Sequence, residues 1–237
     1  MALMPESVLT PVQQDTMSSL AYTALRSALL RREFEPEEQL DLPAISQRMK
    51  ISLTPLKEAL RRLDDERLVE IRPRQGTYVS AVTVERLREV ADARILVELW
   101  GIRSFRPSES EWGEIDSLLA ASEELAQSGL DDVVELEDRF STLDHAFHRA
   151  ILAAAGNESI TRFYDSLGSH VLLARAWCLE PATLLRPQVQ AGVSEHRQIV
   201  DALRLGETDV AAQLMHAHIE GSVTGACAIV NAHGGRI

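Results

Sequence analysis

The stretch that decides the fold spans residues 42–79 and reads LPAISQRMKISLTPLKEALRRLDDERLVEIRPRQGTYV. Its first part follows Asp41, a residue type that caps helices well, and Pro43 is tolerated in a first helical turn. After a short turn at residues 50–52, in which Ser52 or Thr54 can cap the next helix, apolar residues recur at helical spacing: Leu56, Ala59, Leu60 and Leu63. The pattern predicts two helices joined by a tight turn.

The rest of the stretch predicts a hairpin. Two short β-branched segments, residues 69–71 and 77–79, are joined through residues 73–76, where Gly76 can take a positive φ. A helix-turn-helix followed by such a hairpin is a winged helix-turn-helix, whose second helix enters the DNA major groove. The predicted DNA-contacting residues are Lys50, Ser52, Thr54, Lys57, Arg61, Arg62, Arg72, Arg74, Gln75 and Gly76. A winged helix can also bind protein, and the fold alone leaves that alternative open.

Residues 20–82 closely resemble the N-terminal domain of GntR-family bacterial transcription regulators. The resemblance extends from Ala24-Leu25-Arg26 to Gly76, and its most specific part is the run SLTPLKEALRRL at residues 52–63. It implies a transcription regulator that binds double-stranded operator DNA.

Four positions depart from the family pattern. Leu53 stands where the family usually has an Arg, a residue that reads guanine edges, so the operator sequence stays open. Lys57 replaces a commoner Arg, which keeps the charge but favours phosphate over base contact. Lys50 and Arg67 replace glycines at helix ends, where a left-handed residue other than glycine costs on the order of 1 kcal/mol. Both residues add positive charge, and they either contact DNA phosphates or are solvated surface residues.

Charge is unevenly distributed along the chain. The whole chain has 24 basic and 36 acidic side chains, for a net charge of −12. Residues 20–82 contain 11 basic and 10 acidic side chains, which leaves 13 and 26 for the rest. DNA should repel the acidic part. We therefore expect salt-dependent binding by a homodimer that presents two modules to a near-palindromic site.

The length of 237 residues predicts a small domain followed by a larger one. Two cysteines, Cys178 and Cys227, are too few for a disulfide framework or a thiolate metal site. Neither a signal-peptide pattern nor a run of ~18 apolar residues is present, so we expect a cytoplasmic protein without membrane contact. The predicted parts are a flexible tail (1–15), the winged helix-turn-helix domain (16–82), a linker (83–89), an all-α effector-binding domain (90–232) and a tail (233–237).

The predicted fold class is mainly α. Residues 90–230 lack a strand pattern and form Ala/Leu-rich segments, which predicts an antiparallel bundle of six or seven helices. The predicted breaks are residues 106–108, 127–129, 156–157, 180–181, Pro187, Gly192 and Gly206.

Four residues of this half are candidate metal ligands. Asp144 and His148 lie four residues apart and share one helical face, while His196 and His218 lie on two further helices. An aspartate and three imidazoles suit Zn²⁺, Ni²⁺, Mn²⁺ or Fe²⁺. The spacing alone also fits histidines that only satisfy backbone or carboxylate partners.

A second resemblance bears on this choice. The patterns D-x3-H, E-H-R-x-I-x-x-A-L and A-x-x-x-M-x-x-H-I, spread over residues 144–219, look like the FCD effector domain of the FadR branch of the GntR family. The resemblance implies one divalent ion per chain on Asp144, His148, His196 and His218, and a small organic acid that chelates the ion. It also implies that Arg94 clamps this acid with its planar guanidinium. Alternatively, Arg94 forms an i,i+4 ion pair with Glu98 on a solvated face.

Together these features predict a ligand-controlled transcription regulator, a repressor rather than an enzyme. One alternative is hydrolase-like activity at the metal, but no HExxH or comparable motif accompanies the ligands. Glu195 is next to His196, yet consecutive helical residues point about 100° apart. The other alternative is a DNA-binding protein without a small-molecule effector.

Overall fold

The computed structural model describes residues 17–237, without the side chains of Ser169, Val171, Leu172 and Ala182. The predicted flexible tail at residues 1–15 lies outside the described residues. The predicted mainly α fold with a small hairpin wing is confirmed. The elements are α1 (Met17–Leu30), α2 (Leu42–Met49), α3 (Leu53–Asp65), β1 (Val69–Arg72), β2 (Gly76–Val79), α4 (Val84–Ser104), α5 (Glu109–Gln127), α6 (Val133–Ala153), α7 (Glu158–Leu167), α8 (Ser169–Trp177), α9 (Ala182–Arg204) and α10 (Thr208–Ala232).

The helix-turn-helix forms where the sequence predicts it. Asp41 caps α2 by accepting a hydrogen bond from the backbone N–H of Ala44 at 3.0 Å. Lys50 then takes the predicted left-handed conformation, with φ of 55°, and Arg67 after α3 does the same, with φ of 61°. Ser52 occupies the N-cap of α3, but its hydroxyl makes no capping hydrogen bond there. The predicted inward face of α3 is buried: Leu56, Ala59, Leu60 and Leu63.

The wing is an antiparallel pair of strands. Val69 pairs with Val79 and Arg72 with Gly76, so the register places the turn at residues 73–75. Gly76 has a φ of 127°, which a side chain would strain. The predicted role of this glycine is therefore confirmed.

Seven helices, α4 to α10, follow the wing in the described part of the chain. Two predicted breaks are wrong, because Pro187 and Gly192 lie inside α9. Buried Leu185 and Val189 anchor the helix on either side of Pro187, and a Cβ at Gly192 would lie 3.1 Å from the ring of Phe140. Glycine here permits close packing rather than ending the helix. The sequence reading also missed the break at Gly168, which has a φ of 60°.

Two boundary predictions need correction. Residues 84–89, predicted as linker, form the first turns of α4, which Thr83 caps by accepting from the N–H of Arg86 at 3.2 Å. Residues 233–237, predicted as a tail, end on Ile237, which is 2% exposed. Ile237 exchanges two backbone hydrogen bonds with Val82, at 2.7 and 3.0 Å. The end of the chain is therefore tied to the junction between the wing and α4.

The apolar core has two parts that meet at α6 and α8. The smaller core is built from α1, α2, α3 and the wing, and it includes Val134 of α6 and Ala174 of α8. The larger core fills the helical domain. Because α6 contributes to both cores, it connects the two halves of the chain. Within residues 17–237, every helix is too short or too polar to span a membrane.

Candidate metal centre and nucleic-acid interface

Three helices bring the four predicted metal ligands together. Helix α6 carries Asp144 and His148, α9 carries His196, and α10 carries His218. Asp144 Oδ1 lies 3.5 Å from His148 Nε2, 3.3 Å from His196 Nε2 and 3.8 Å from His218 Nε2. His218 Nε2 lies 3.2 Å from Nε2 of both other histidines. All four residues are buried, and one donor atom of each lies within 4.8 Å of the others.

This arrangement fits a divalent cation. Donor atoms at about 2.1 Å from a shared metal ion lie about 3.0 Å apart at octahedral angles and about 3.4 Å apart at tetrahedral angles. The separations of 3.2–3.8 Å are close to both values. Imidazole nitrogens and a carboxylate oxygen are ligands that Zn²⁺ and other first-row divalent ions accept. The buried cluster could therefore hold a metal ion.

Two glutamates contact the histidines at Nδ1, on the side of the ring away from Nε2. His148 Nδ1 lies 2.6 Å from Glu98 Oε2, and His218 Nδ1 lies 2.7 Å from Glu195 Oε2. A carboxylate beside Nδ1 favours a proton on that nitrogen, which leaves Nε2 free as a ligand. The ring of Phe147 stacks on His196 at a centroid distance of 4.1 Å and orients it. The sequence reading set Glu195 aside because it is next to His196, but Glu195 supports a different histidine.

The charges of the cluster favour a cation. Burial raises the pKa of Asp144, but His148 and His196 outweigh burial and hold this pKa well below its usual value. Burial also raises the pKa of Glu98, yet Arg94 and His148 bring it down to about 2. Burial lowers the pKa of His196 to about 3, so this imidazole is neutral. Burial opposes protonation of His148, but Glu98 and Asp144 raise its pKa to about 9, so a metal ion that binds here would displace a proton from this imidazole.

Arg94 lies next to this cluster rather than on a solvated face. Its Nε donates to Glu98 Oε1 at 2.7 Å, which is the i,i+4 pair predicted as the alternative. Both side chains are buried, at 2% and 1% exposure, so the prediction that this pair lies on a solvated face is wrong. Arg94 Nη2 is buried and has no hydrogen-bond partner among the described residues. Arg94 therefore positions Glu98 and has one donor left for a ligand.

A cavity of about 160 Å³ opens beside Asp144 and His218. Its polar wall includes Glu137, and the ring of Trp177 contributes to its apolar wall. Glu137 is only 3% exposed, and burial together with the charge of Asp144 raises its pKa well above the ordinary value. Among the residues that line this cavity in the described part of the chain, none is Arg or Lys. Arg94 is accordingly outside this lining.

Glu137 was missed in the sequence, although a signal was present. Glu137, Ser141, Asp144 and His148 recur at intervals of four, three and four, which places them on one face of α6. The predicted ligand set included only histidines and their nearest carboxylate. Extending the same face by two turns would have found the cavity wall.

The predicted DNA-contacting residues divide into two groups. Lys50, Ser52, Thr54, Lys57, Arg61, Arg74 and Gln75 are exposed, and Gly76 is half-buried at the wing. Arg62 is exposed but lies over the ring of Tyr22 at 3.8 Å. Half-buried Arg72 pairs with Glu70 at 2.7 Å and covers the ring of Tyr78. To bind DNA, Arg62 and Arg72 would therefore have to turn away from these partners within the protein.

Comparison with known proteins identifies the family. Residues 18–79 match the bacterial regulatory proteins of the gntR family, and residues 89–221 match the FCD domain. The chain belongs to the GntR family and carries an FCD domain. The resemblance to the GntR family and to the FCD domain is thereby confirmed, and the protein is a transcription regulator.

Relatives cover nearly the whole regulator. It is 26% identical over 206 residues to the HTH-type transcriptional repressor GlaR of Escherichia coli (strain K12), covering 86% of this chain and 93% of the relative. It is 24% identical over 222 residues to the HTH-type transcriptional repressor RspR of the same organism, covering 91% and 90%. A solved GntR structure from Rhodococcus sp. RHA1 has a TM-score of 0.63 at 23% identity, covers 91% of this chain and 98% of that one, and has the same fold.

Proposed function

We propose that this regulator is a metal-dependent, ligand-controlled repressor of the FadR branch, which binds its operator as a homodimer. The observation that carries the proposal is the convergence of Asp144, His148, His196 and His218 beside a cavity. Two relatives are named repressors, which supports repression rather than activation. The same names support a regulator rather than an enzyme.

A divalent ion held by these four residues would supply a Lewis-acid centre with open positions for ligand oxygen atoms. The chain's own residues prepare this centre. Glu98 and Glu195 orient two imidazoles through Nδ1, and Arg94 neutralises the buried charge of Glu98. Because Glu195 already contacts His218, it is engaged in support rather than placed as a base for hydrolysis.

The effector that fits the cavity is a small organic acid bearing hydroxyl groups. Glu137 and Glu195 line the cavity, and no cationic Arg or Lys does so among the described residues, so the acid group belongs at the metal end. Arg94 lies outside this lining, so its role beside the metal end is to hold Glu98. At the other end, the carboxyl of Glu137, the amide of Gln188 and the hydroxyl of Ser141 suit hydroxyl groups.

Helix α6 provides the route from effector to DNA. It carries Glu137, Ser141 and Asp144 toward the cavity, and its Asp138 pairs with Arg26 of α1. Arg26 Nε in turn lies 3.4 Å from a carboxylate oxygen of Glu66, the C-cap residue of α3. A shift of α6 therefore reaches the recognition helix through two ion pairs. Linkage then requires that effector and operator alter each other's affinity equally.

Replacing Asp138 by Asn should weaken this coupling. The variant keeps the shape of the side chain but loses its charge, so the ion pair between α6 and Arg26 is lost. We expect the effect of the acid on operator affinity to fall by about fivefold or more, with metal content unchanged. The measurement is fluorescence anisotropy of labelled operator with and without the acid. Glu158→Gln is the control, since within the described residues Glu158 pairs with Arg162 one turn along the same helix. Equal coupling in both variants would contradict the proposed route.

Replacing Lys57 or Arg61 by Ala should weaken operator binding and flatten its salt dependence. Both side chains are exposed on α3, and removing one phosphate contact reduces the slope of log K against log salt by about 1. Arg103→Ala, an exposed cation of α4, is the matched control. An unchanged slope for a variant would remove that residue from the DNA interface.

The proposal is tested first by elemental analysis of protein purified without chelator or a nickel column. The same protein is then screened for thermal stabilisation by mono- and dicarboxylates with and without hydroxyl groups. One divalent ion per chain, stabilisation by an acid, and release of operator DNA by that acid are the expected results. Absence of metal even after addition of Zn²⁺, Ni²⁺ or Mn²⁺ would make the histidines structural.

A further inference from the structure

Leu53 exposes an apolar side chain where DNA is expected. It is the first residue of α3 and is 41% exposed. It contributes neither to the buried core of the N-terminal domain nor to the partly buried side chains packed against that core. Its neighbours Ser52 and Thr54 are exposed and polar. Core packing therefore does not account for a leucine at this position.

Leu53 is part of a stripe along the exposed face of α3. Leu53, Lys57 and Arg61 follow one another at intervals of four residues, so they lie in one row along the helix. Leu53 and Lys57 also line a shallow groove with Leu42, Pro43, Gly76 and Thr77, between the start of α2 and the wing. The apolar member of the stripe is at its N-terminal end, which in this fold contacts base edges.

Among the base edges in the major groove, only one group offers an apolar contact to an aliphatic side chain. Guanine and adenine edges present polar acceptors and donors there, cytosine presents an amino group, and thymine presents a C5-methyl group. A leucine packed on a polar edge would exclude water from it without replacing the hydrogen bond. We infer that Leu53 contacts the C5-methyl group of a thymine, and that each operator half-site has a T·A pair at that position. This inference rests on the proposed operator binding by α3.

The experiment begins with selection of bound duplexes from a randomised pool by the full chain. Each thymine of the enriched half-site is then replaced in turn by deoxyuridine, which lacks only the methyl group. At one thymine per half-site, the replacement should weaken binding by about fourfold, the effect of one buried methyl group. With Leu53→Ala, the same replacement should have no effect. Leu205→Ala, a change at a leucine that is 73% exposed in the other domain, is the control and should retain the full effect.

A third variant adds a gain-of-function readout. Leu53→Arg should move the preferred base at this position from thymine to guanine, because a guanidinium binds guanine O6 and N7 with two hydrogen bonds. Enrichment of a motif in which no thymine responds to deoxyuridine would overturn the inference and leave DNA binding intact. Equal responses of wild type and Leu53→Ala would do the same. Failure to enrich any motif would instead overturn operator binding itself, and the inference with it.

Discussion

Replacing His196 by Ala is expected to empty the metal site and abolish the effector response. His196 is fully buried, and its Nε2 lies 3.3 Å from Asp144 and 3.2 Å from His218. Losing a residue that only supports a ligand costs about 10–100-fold in metal affinity, so losing a ligand itself should cost about 100-fold or more. Because metal binding to the folded state adds to its stability, the variant should also lose the stabilisation that metal provides.

The measurement combines elemental analysis with thermal unfolding in the presence and absence of EDTA. The wild type should unfold at a lower temperature once the chelator is added, whereas His196→Ala should show the same temperature in both conditions. His196→Gln, which fills more of the space, separates loss of a ligand from loss of core packing. His216→Ala is the control, since His216 is exposed on the same helix as His218. Full metal occupancy in both His196 variants would show that the proposed ligand set is wrong.

Replacing Arg94 by Ala should destabilise the fold by about 3–5 kcal/mol. The change leaves Glu98 buried without the guanidinium that balances its charge, and Glu98 is only 1% exposed. It also frees Glu98 to move away from His148, so metal affinity should fall with stability. The measurement is the midpoint of urea unfolding, recorded on metal-free protein so that metal binding does not contribute.

A double variant tests whether the missing partner is the cause. Arg94→Met combined with Glu98→Leu removes both charges, keeps apolar volume, and should recover much of the stability lost by Arg94→Ala. The family resemblance predicts instead that Arg94 clamps the effector, and a clamping role implies a different result for Arg94→Ala. If Arg94→Ala leaves the metal-free fold as stable as the wild type and only weakens acid binding, clamping rather than support of Glu98 is its role.

Local sequence patterns were sufficient for the helix-turn-helix, for the wing and for the shared helical face of Asp144 and His148. Asp144 and His148 are one helical turn apart, so the shared face follows from helix geometry before any tertiary contact is known. The start of α2 and the wing followed in the same way, since the side chain of Asp41 caps a nearby N–H and Gly76 acts through its own backbone φ. Linking His196 and His218 to the same site needed the family resemblance, because they lie on other helices.

Where local preference competes with packing, the sequence reading failed. Pro187 and Gly192 disfavour a helix, yet α9 continues through both, since its apolar residues are buried on either side. Residues 84–89 were read as a linker, but they extend a helix that carries Arg94 and Glu98. Tertiary burial outweighs helix propensities that cost about 1 kcal/mol for glycine and about 3 kcal/mol for proline.

The sequence alone determined the winged helix-turn-helix, the all-α second half and the residue types that could bind a metal, because these depend on periodicity and short motifs. Only the tertiary structure decided which carboxylate supports which histidine. Glu98 reaches His148 from α4, and Glu195 reaches His218 from α9. Such pairs depend on how helices that are distant in sequence pack against each other. The buried wall at Glu137 and the ion pairs of α6 with α1 were decided in the same way, since burial and the approach of two helices are properties of the assembled fold.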